Sequence, residues 1–266
     1  MEEAITLLNF DGAYSKQSFY KSSSDNWINF DFMRNISLFC ERGSLQDITD
    51  RLIEHKQDGI CYLGSGNYHY VSYILQSQMK LPYTLILFDH HTDILPAPSE
   101  NLISCGSWVL ESLKTLPMLK KVYILGVSEE TNQNIPESVQ DKVVIYTKNS
   151  LQTNLSTITK SMIKNIPTEA VYISMDKDVL DTKDAMTGWD HGTLRLKQML
   201  KMVKELSKSK DFRGVDVCGE YPVNPMNEYQ KETQEALDKN NYANGQILNY
   251  IKRWTGKDRN TTLLHA

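Results

Sequence analysis

No stretch of this chain is apolar for long enough to cross a bilayer. The longest apolar runs, such as that around 84–88, fall far short of the roughly 20 residues a spanning helix needs. Cysteine is scarce: Cys40, Cys61, Cys105 and Cys218 form no CxxC pair and no zinc-finger spacing, which argues for free thiols over a disulfide framework. Positive charge is not in excess, with 29 Lys and Arg against 33 Asp and Glu and a net charge of −4. A nucleic-acid footprint is therefore not expected. Neither GxxxxGK[ST] nor GxGxxG occurs, so no nucleotide-phosphate cradle is signalled. There is no internal repeat and no low-complexity tract. The chain opens Met1-Glu2-Glu3, whereas a secretory signal begins with positive charge and an apolar run, so the expectation is a cytoplasmic protein without membrane attachment.

What is present is enough apolar material, 40% of 266 residues, to fill the core of one large α/β domain spanning 1–266. Short apolar, β-branched runs at 5–10, 60–63, 84–88, 121–125, 142–146, 170–174 and 214–217 read as strands covered on both faces. Amphipathic stretches at 70–79, 107–116, 151–164, 194–207 and 228–254 read as helices. Their alternation predicts βαβ units in a mostly parallel sheet with helices on both faces. Residues 14–35 show no period and are expected to be irregular, and 255–266 to be a loosely held tail.

Chemistry gathers at the predicted carboxyl ends of the strands, the rim where open parallel sheets bind ligands. After the run 84–88 comes Asp89-His90-His91-Thr92-Asp93. Its residues Asp89, His91 and Asp93 alternate, so an extended chain turns all three the same way, as a divalent-metal site requires. After 170–174 comes Asp176-Lys177-Asp178, two carboxylates that repel unless protonated or bridged by cations. The glycine turn Gly64-Ser65-Gly66-Asn67-Tyr68 leads into His69 at a helix start, a further candidate ligand. Asp216-Val217-Cys218-Gly219-Glu220 follows another strand, and Glu220 could reach over the site toward a cationic substrate group. Cys105 and Cys218 both fall near this rim, where a thiol pair could respond to redox change or take a further metal. Buried free thiols are the ordinary outcome.

These residues carry a family resemblance. The run 89–93 resembles the Asp-Ala-His-x-Asp motif of the arginase–agmatinase (ureohydrolase) family. Ser174-Met175-Asp176-Lys177-Asp178-Val179-Leu180-Asp181 is similar to its Ser-x-Asp-x-Asp-x-x-Asp motif, and 64–69 more loosely resembles Gly-Gly-Asp-His. The resemblance covers roughly 58–225. It implies an arginase-like three-layer α/β/α fold and two Mn2+ ions, other divalent metals remaining open. One ion would be held by His69, Asp89, Asp93 and Asp176, the other by Asp89, His91, Asp176 and Asp178. It further implies attack by a hydroxide between the metals on the planar carbon of a small molecule, with Asp93 holding the attacking water and shuttling its proton. Homo-oligomeric assembly is left open.

The chain also departs from the family. Cys105-Gly106 stands where arginases carry a His-Gly pair whose histidine shuttles protons. Apolar Ile94-Leu95-Pro96-Ala97-Pro98 replaces the polar residues that read the amino-acid end of arginine. Met186-Thr187-Gly188-Trp189-Asp190-His191-Gly192 replaces a Pro-x-x-Gly-Thr-Pro-type loop, so Trp189 and His191 either line the pocket or pack elsewhere. Glu220 is offset from the family's substrate-facing glutamate. The resulting expectation is a dinuclear hydrolase of C–N bonds in a guanidino, ureido or amide-like compound, with Asp93, Cys105, His191 and Glu220 as catalytic or substrate-facing candidates. An acylamine deacetylase with one metal, and a binding protein that has lost turnover with the shuttle histidine, are the alternatives.

Overall fold

The computed structural model describes residues 5–21, 25–55, 59–130 and 135–255. The tail expected at 255–266 lies outside the described residues beyond its first position. In chain order the elements are β1 (Ile5–Asn9), β2 (Asp25–Asn29), β3 (Phe39–Glu41), α1 (Arg42–Glu54), β4 (Ile60–Tyr62), α2 (Val71–Ser77) and β5 (Tyr83–Phe88). Then follow β6 (Leu102–Ser104), α3 (Trp108–Thr115), β7 (Leu119–Val127), β8 (Val143–Thr147), α4 (Lys148–Asn165), β9 (Ala170–Asp176), α5 (Leu196–Leu206), β10 (Asp211–Cys218) and α6 (Lys231–Thr255). Eight strands form one sheet in the order β2-β1-β4-β10-β9-β5-β7-β8. Every pairing in it is parallel. β3 and β6 form a separate antiparallel pair. Among the described residues no helix is long and apolar enough to cross a membrane.

Side-chain parity sorts the sheet into two faces. On one, Leu85 and Leu87 of β5 and Tyr172 of β9 pack with Leu45, Ile48 and Leu52 of α1, Val71 and Ile74 of α2, and Trp108 and Leu113 of α3. On the other, Ile86, Phe88, Ile173, Met175, Val215 and Val217 pack with Ile158 and Met162 of α4, Met199 and Val203 of α5, and Ile247 and Ile251 of α6. This is the layered α/β arrangement that the near-continuous apolar strands predict.

Three features go beyond the sequence reading. The segment 14–35, expected to be irregular, contains β2. Its sequence DNWIN lacks an apolar run because it is an edge strand, paired on one side to β1. α1 buries only Leu45, Ile48 and Leu52, one narrow stripe in an otherwise polar helix, which leaves a weak periodic signal. β3 and β6 have three residues each, too short for an alternating pattern to register.

The strand order has a functional consequence. β4 and β5 follow one another along the chain, yet β10 and β9 are inserted between them in the sheet. The four segments singled out at 64–69, 89–93, 176–181 and 216–220 thus leave four adjacent strands at the same end. Neighbouring strands lie about 4.8 Å apart, so donors on these ends are within reach of one another.

Candidate metal centre

Register and parity set the first members of the site. Phe88 pairs with Met175 and Cys218 with Asp176, so Asp89, Asp176 and Cys218 form a row across three strand ends. Apolar Phe88, Met175 and Val217 turn to the α4–α6 face. Asp89, Asp176 and Cys218, one residue further along, turn to the other. His69 enters from a single 3-10 turn at Gly66–Tyr68 that leads into α2.

The donors converge closely. His69 Nδ1 lies 3.3 Å from Asp89 Oδ2, 3.3 Å from Asp93 Oδ2 and 3.6 Å from Asp176 Oδ2. His91 Nδ1 lies 2.9 Å from Asp178 Oδ2 and 3.5 Å from Asp89 Oδ1. Two donor sets suited to a metal overlap at Asp89: His69, Asp89 and Asp93 form one, and Asp89, His91 and Asp178 the other. A third set joins His69 and Asp176 to Cys218. All these residues are buried except His91, which is partly exposed.

The electrostatics are unbalanced. Burial and the neighbouring Asp89 charge push the Asp93 carboxyl up to about 6. Burial, with Asp176 and Asp89 beside it, raises Asp178 well above the ordinary carboxylate range. Asp89 is held low because His69 and His91 outweigh the cost of its burial. Burial opposes charge on His91, yet Asp178 and Asp89 raise its pKa. Asp89 Oδ2 is buried with no hydrogen-bond partner. Four buried carboxylates around two imidazoles, one oxygen unpartnered, fit divalent cations.

Surrounding groups orient the donors. Trp108 Nε1 donates to Asp93 Oδ2 at 2.6 Å, and Asp93 itself sits in the left-handed region at φ 52°. The His91 and His90 amides donate to Asp89 Oδ1 at 2.6 Å and Asp178 Oδ1 at 3.0 Å. His69 Nε2 meets Ser174 Oγ at 2.9 Å. Ser174 Oγ and Tyr172 OH in turn donate to Asp216 at 2.6 and 2.7 Å. His91 Nε2 lies 3.0 Å from Asp190 Oδ1, with the Trp189 ring 5.5 Å away at a steep angle. A metal-binding histidine is generally fixed in this way through its second nitrogen.

The structure therefore brings His69, Asp89, His91, Asp93, Asp176 and Asp178 together. Cys105 stands near them, half-buried, its thiol pushed up to about 12 by burial and by the Asp93 charge. His191 and Glu220 are turned elsewhere. His191 Nδ1 meets the Leu180 carbonyl at 3.1 Å and Nε2 accepts from the Thr187 amide at 3.1 Å, so both ring nitrogens brace their own loop. Glu220 forms a buried ion pair with Lys177 and accepts from Gln17, Asn240 and Asn244. Sequence reasoning did not assign roles to Trp108, Ser174, Asp190, Asp216 or Lys177. The period-two pairs Ser174-x-Asp176 and Asp216-x-Cys218 carried a signal, but only the strand order makes it readable.

A model described as the arginase family matches residues 7–239. An uncharacterized protein of Thermotoga maritima is 28% identical over 236 residues, covering 88% of this chain and 86% of that one. Among solved structures, a hypothetical agmatinase from Burkholderia thailandensis aligns at TM-score 0.67 and 15% identity, over 95% of this chain and 86% of its own. An arginase from Bacillus caldovelox aligns at 0.66 and 14%, over 93% and 98%. A formimidoylglutamase from Bacillus subtilis aligns at 0.67 and 17%, over 94% and 87%. At such identities the solved structures establish a shared fold, and the family match runs through nearly all of the domain: the chain belongs to the arginase family.

Proposed function

We propose that this protein is a dinuclear metallohydrolase that cleaves a C–N bond in a small guanidino, ureido or amide-like compound. The observation that carries the reading is the pair of donor sets sharing Asp89, within a cluster that holds more buried carboxylates than its own cations can balance. His69, Asp89, Asp93 and Asp176 would hold one ion and Asp89, His91, Asp176 and Asp178 the other. Bound there, two divalent ions would supply a water activated near neutral pH and would polarise the group around the substrate carbon.

The remaining steps belong to the chain's own groups. Trp108 pins Asp93 Oδ2, which leaves Oδ1 as the atom to take a proton and return it to the leaving nitrogen. Cys105 stays protonated at neutral pH and so takes no part as a base. Glu220 already answers to Lys177, so attraction of a cationic substrate falls to the exposed Asp190 carboxylate and the Trp189 ring face at the mouth. The family neighbours named agmatinase, arginase and formimidoylglutamase support a C–N bond as the target.

The test is a screen of metal-loaded protein against guanidino, ureido and acylamino compounds for released urea or ammonia, with Asp93→Ala and Asp178→Ala as controls. About two ions per chain, and product lost in both controls, are expected. Less than about half an ion per chain after loading would sink the reading. One tightly held zinc would favour a deacetylase-type hydrolase instead.

A further inference from the structure

We propose that Cys218 is a metal ligand of the His69 half of this centre, and that its thiolate makes the two halves unequal. The His69 half would prefer a thiophilic ion of the zinc, cobalt(II) or iron(II) kind, and the His91 half an oxygen-seeking ion such as manganese. The inference rests on the dinuclear reading above.

The placement of the thiol is specific. Cys218 ends β10 directly opposite Asp176 at the end of β9, on the face toward His69. Its Sγ lies 3.1 Å from Asp176 Oδ2, the same oxygen that lies 3.6 Å from His69 Nδ1. The nitrogen, oxygen and sulfur donors of His69, Asp176 and Cys218 fall within 4.8 Å of one another, and all three residues are buried. The backbone permits this closeness only because residue 219 is glycine. Gly219 has φ +86°, and a Cβ there would collide with Asp176 Oδ1. A further feature faces the same space: Asp89 Oδ2, buried without a hydrogen bond and 3.3 Å from His69 Nδ1.

A buried cysteine ordinarily serves as a small apolar side chain, as Cys40 and Cys61 do in the apolar cluster beneath α1–α3, which Cys218 also borders. Cys218 differs by having an imidazole and a carboxylate as neighbours. Thiolate sulfur favours softer ions, whereas a set of carboxylates with one imidazole, such as Asp89, His91 and Asp178, also suits manganese. As the metal–sulfur bond forms, the thiol proton now directed at Asp176 Oδ2 leaves to solvent, one proton per ion at this half.

The experiment uses the full chain, stripped of metal and titrated with cobalt(II) under reducing conditions, followed by absorption. A near-ultraviolet thiolate-to-cobalt charge-transfer band should grow with the first equivalent, persist in Cys105→Ser and vanish in Cys218→Ser. Cys218→Ser should also weaken zinc binding at least roughly tenfold while changing manganese binding less. X-ray absorption of the zinc-loaded wild-type protein needs no variant. With one equivalent of zinc bound it should show one sulfur neighbour at about 2.3 Å. A zinc shell of nitrogen and oxygen alone, or a cobalt band that survives Cys218→Ser, overturns the proposal. If about two cobalt ions bind with no thiolate band, Cys218 is only a hydrogen-bond donor to Asp176 and the hydrolase reading stands. If no cobalt binds, both fall.

Discussion

Two buried polar clusters sit side by side at the carboxyl ends of β9 and β10, and consecutive residues feed them. Asp176 and Asp178 turn into the His69–His91 cluster. Lys177, between them, reaches Glu220 and Asn244 with Gln17 and Asn240 completing the set. In the second cluster a cation meets an anion, amides occupy the remaining carboxylate sites, and Lys177 and Glu220 are almost wholly buried. In the first, carboxylates outnumber imidazoles, two of the acids are pushed upward, and one oxygen has no hydrogen-bond partner. A closed network fixes the chain: it ties the second aspartate motif to the N-terminal loop and to α6. An open one is incomplete without something bound. The difference marks which cluster is for binding, although both look like acidic loop ends in the sequence.

The sharpest way to break that comparison is to remove the shared donor. Asp89→Asn should reduce bound metal from about two ions per chain to less than one. Turnover should fall by roughly a thousandfold or more, as several kcal/mol of transition-state stabilisation are lost. Metal analysis beside steady-state rates would check this; unchanged stoichiometry would place the ions elsewhere. The closed cluster should respond in stability instead. Lys177→Met leaves a buried carboxylate unpaired, at a cost of about 3–5 kcal/mol in denaturant unfolding. Adding Glu220→Gln should recover most of that loss, because the double variant removes both charges. Metal content per folded chain should stay the same in both. If Lys177→Met instead abolishes metal binding without loss of stability, the two clusters are one.

Acidity should separate them next. In the metal-free protein Asp93 is raised from 3.8 to about 6, and Asp178 is raised as well. A carboxyl raised by folding binds its proton more tightly in the native state, so native stability falls as pH rises through that window. The raised His69 and His91 give stability that is fully present below 6.5 and lost above it, so they do not offset the fall. Thermal melts of stripped protein should therefore drop between about pH 4 and pH 6. The gain on adding a divalent ion should grow over the same interval, because the ion needs the deprotonated donors.

Much of this was legible in the sequence for a definite reason. Parallel strands covered on both faces leave apolar runs, and the polar residues that interrupt them at their carboxyl ends stand out. His69, Asp89, His91, Asp93, Asp176 and Asp178 were readable in that way. What stayed hidden depends on strand order and side-chain direction. β10 and β9 insert between β4 and β5, which alone brings Cys218 beside Asp176 and Ser174 beside Asp216. Glu220 follows a strand as the proposed ligands do, yet its side chain turns to the α6 side and to Lys177. The edge strand β2 needs no apolar run, so no run announced it.

The smallest expected effect concerns the one place where the open cluster meets solvent. Asp190, with 68% of its side chain exposed, holds His91 through Nε2 at 3.0 Å, whereas His69 is held from within by Ser174 and Asp216. Both contacts fix which imidazole nitrogen would face a bound metal, but a solvated carboxylate does so more weakly than a buried chain of hydrogen bonds. Asp190→Asn keeps an acceptor of the same shape and removes the charge. It should lower affinity for the ion at the His91 half by about tenfold, the low end for such groups, and leave the His69 half unchanged. Calorimetric titration that resolves two binding events would measure it. A loss confined to the event that His69→Ala removes, or spread equally over both, would mean that Asp190 does not act through His91.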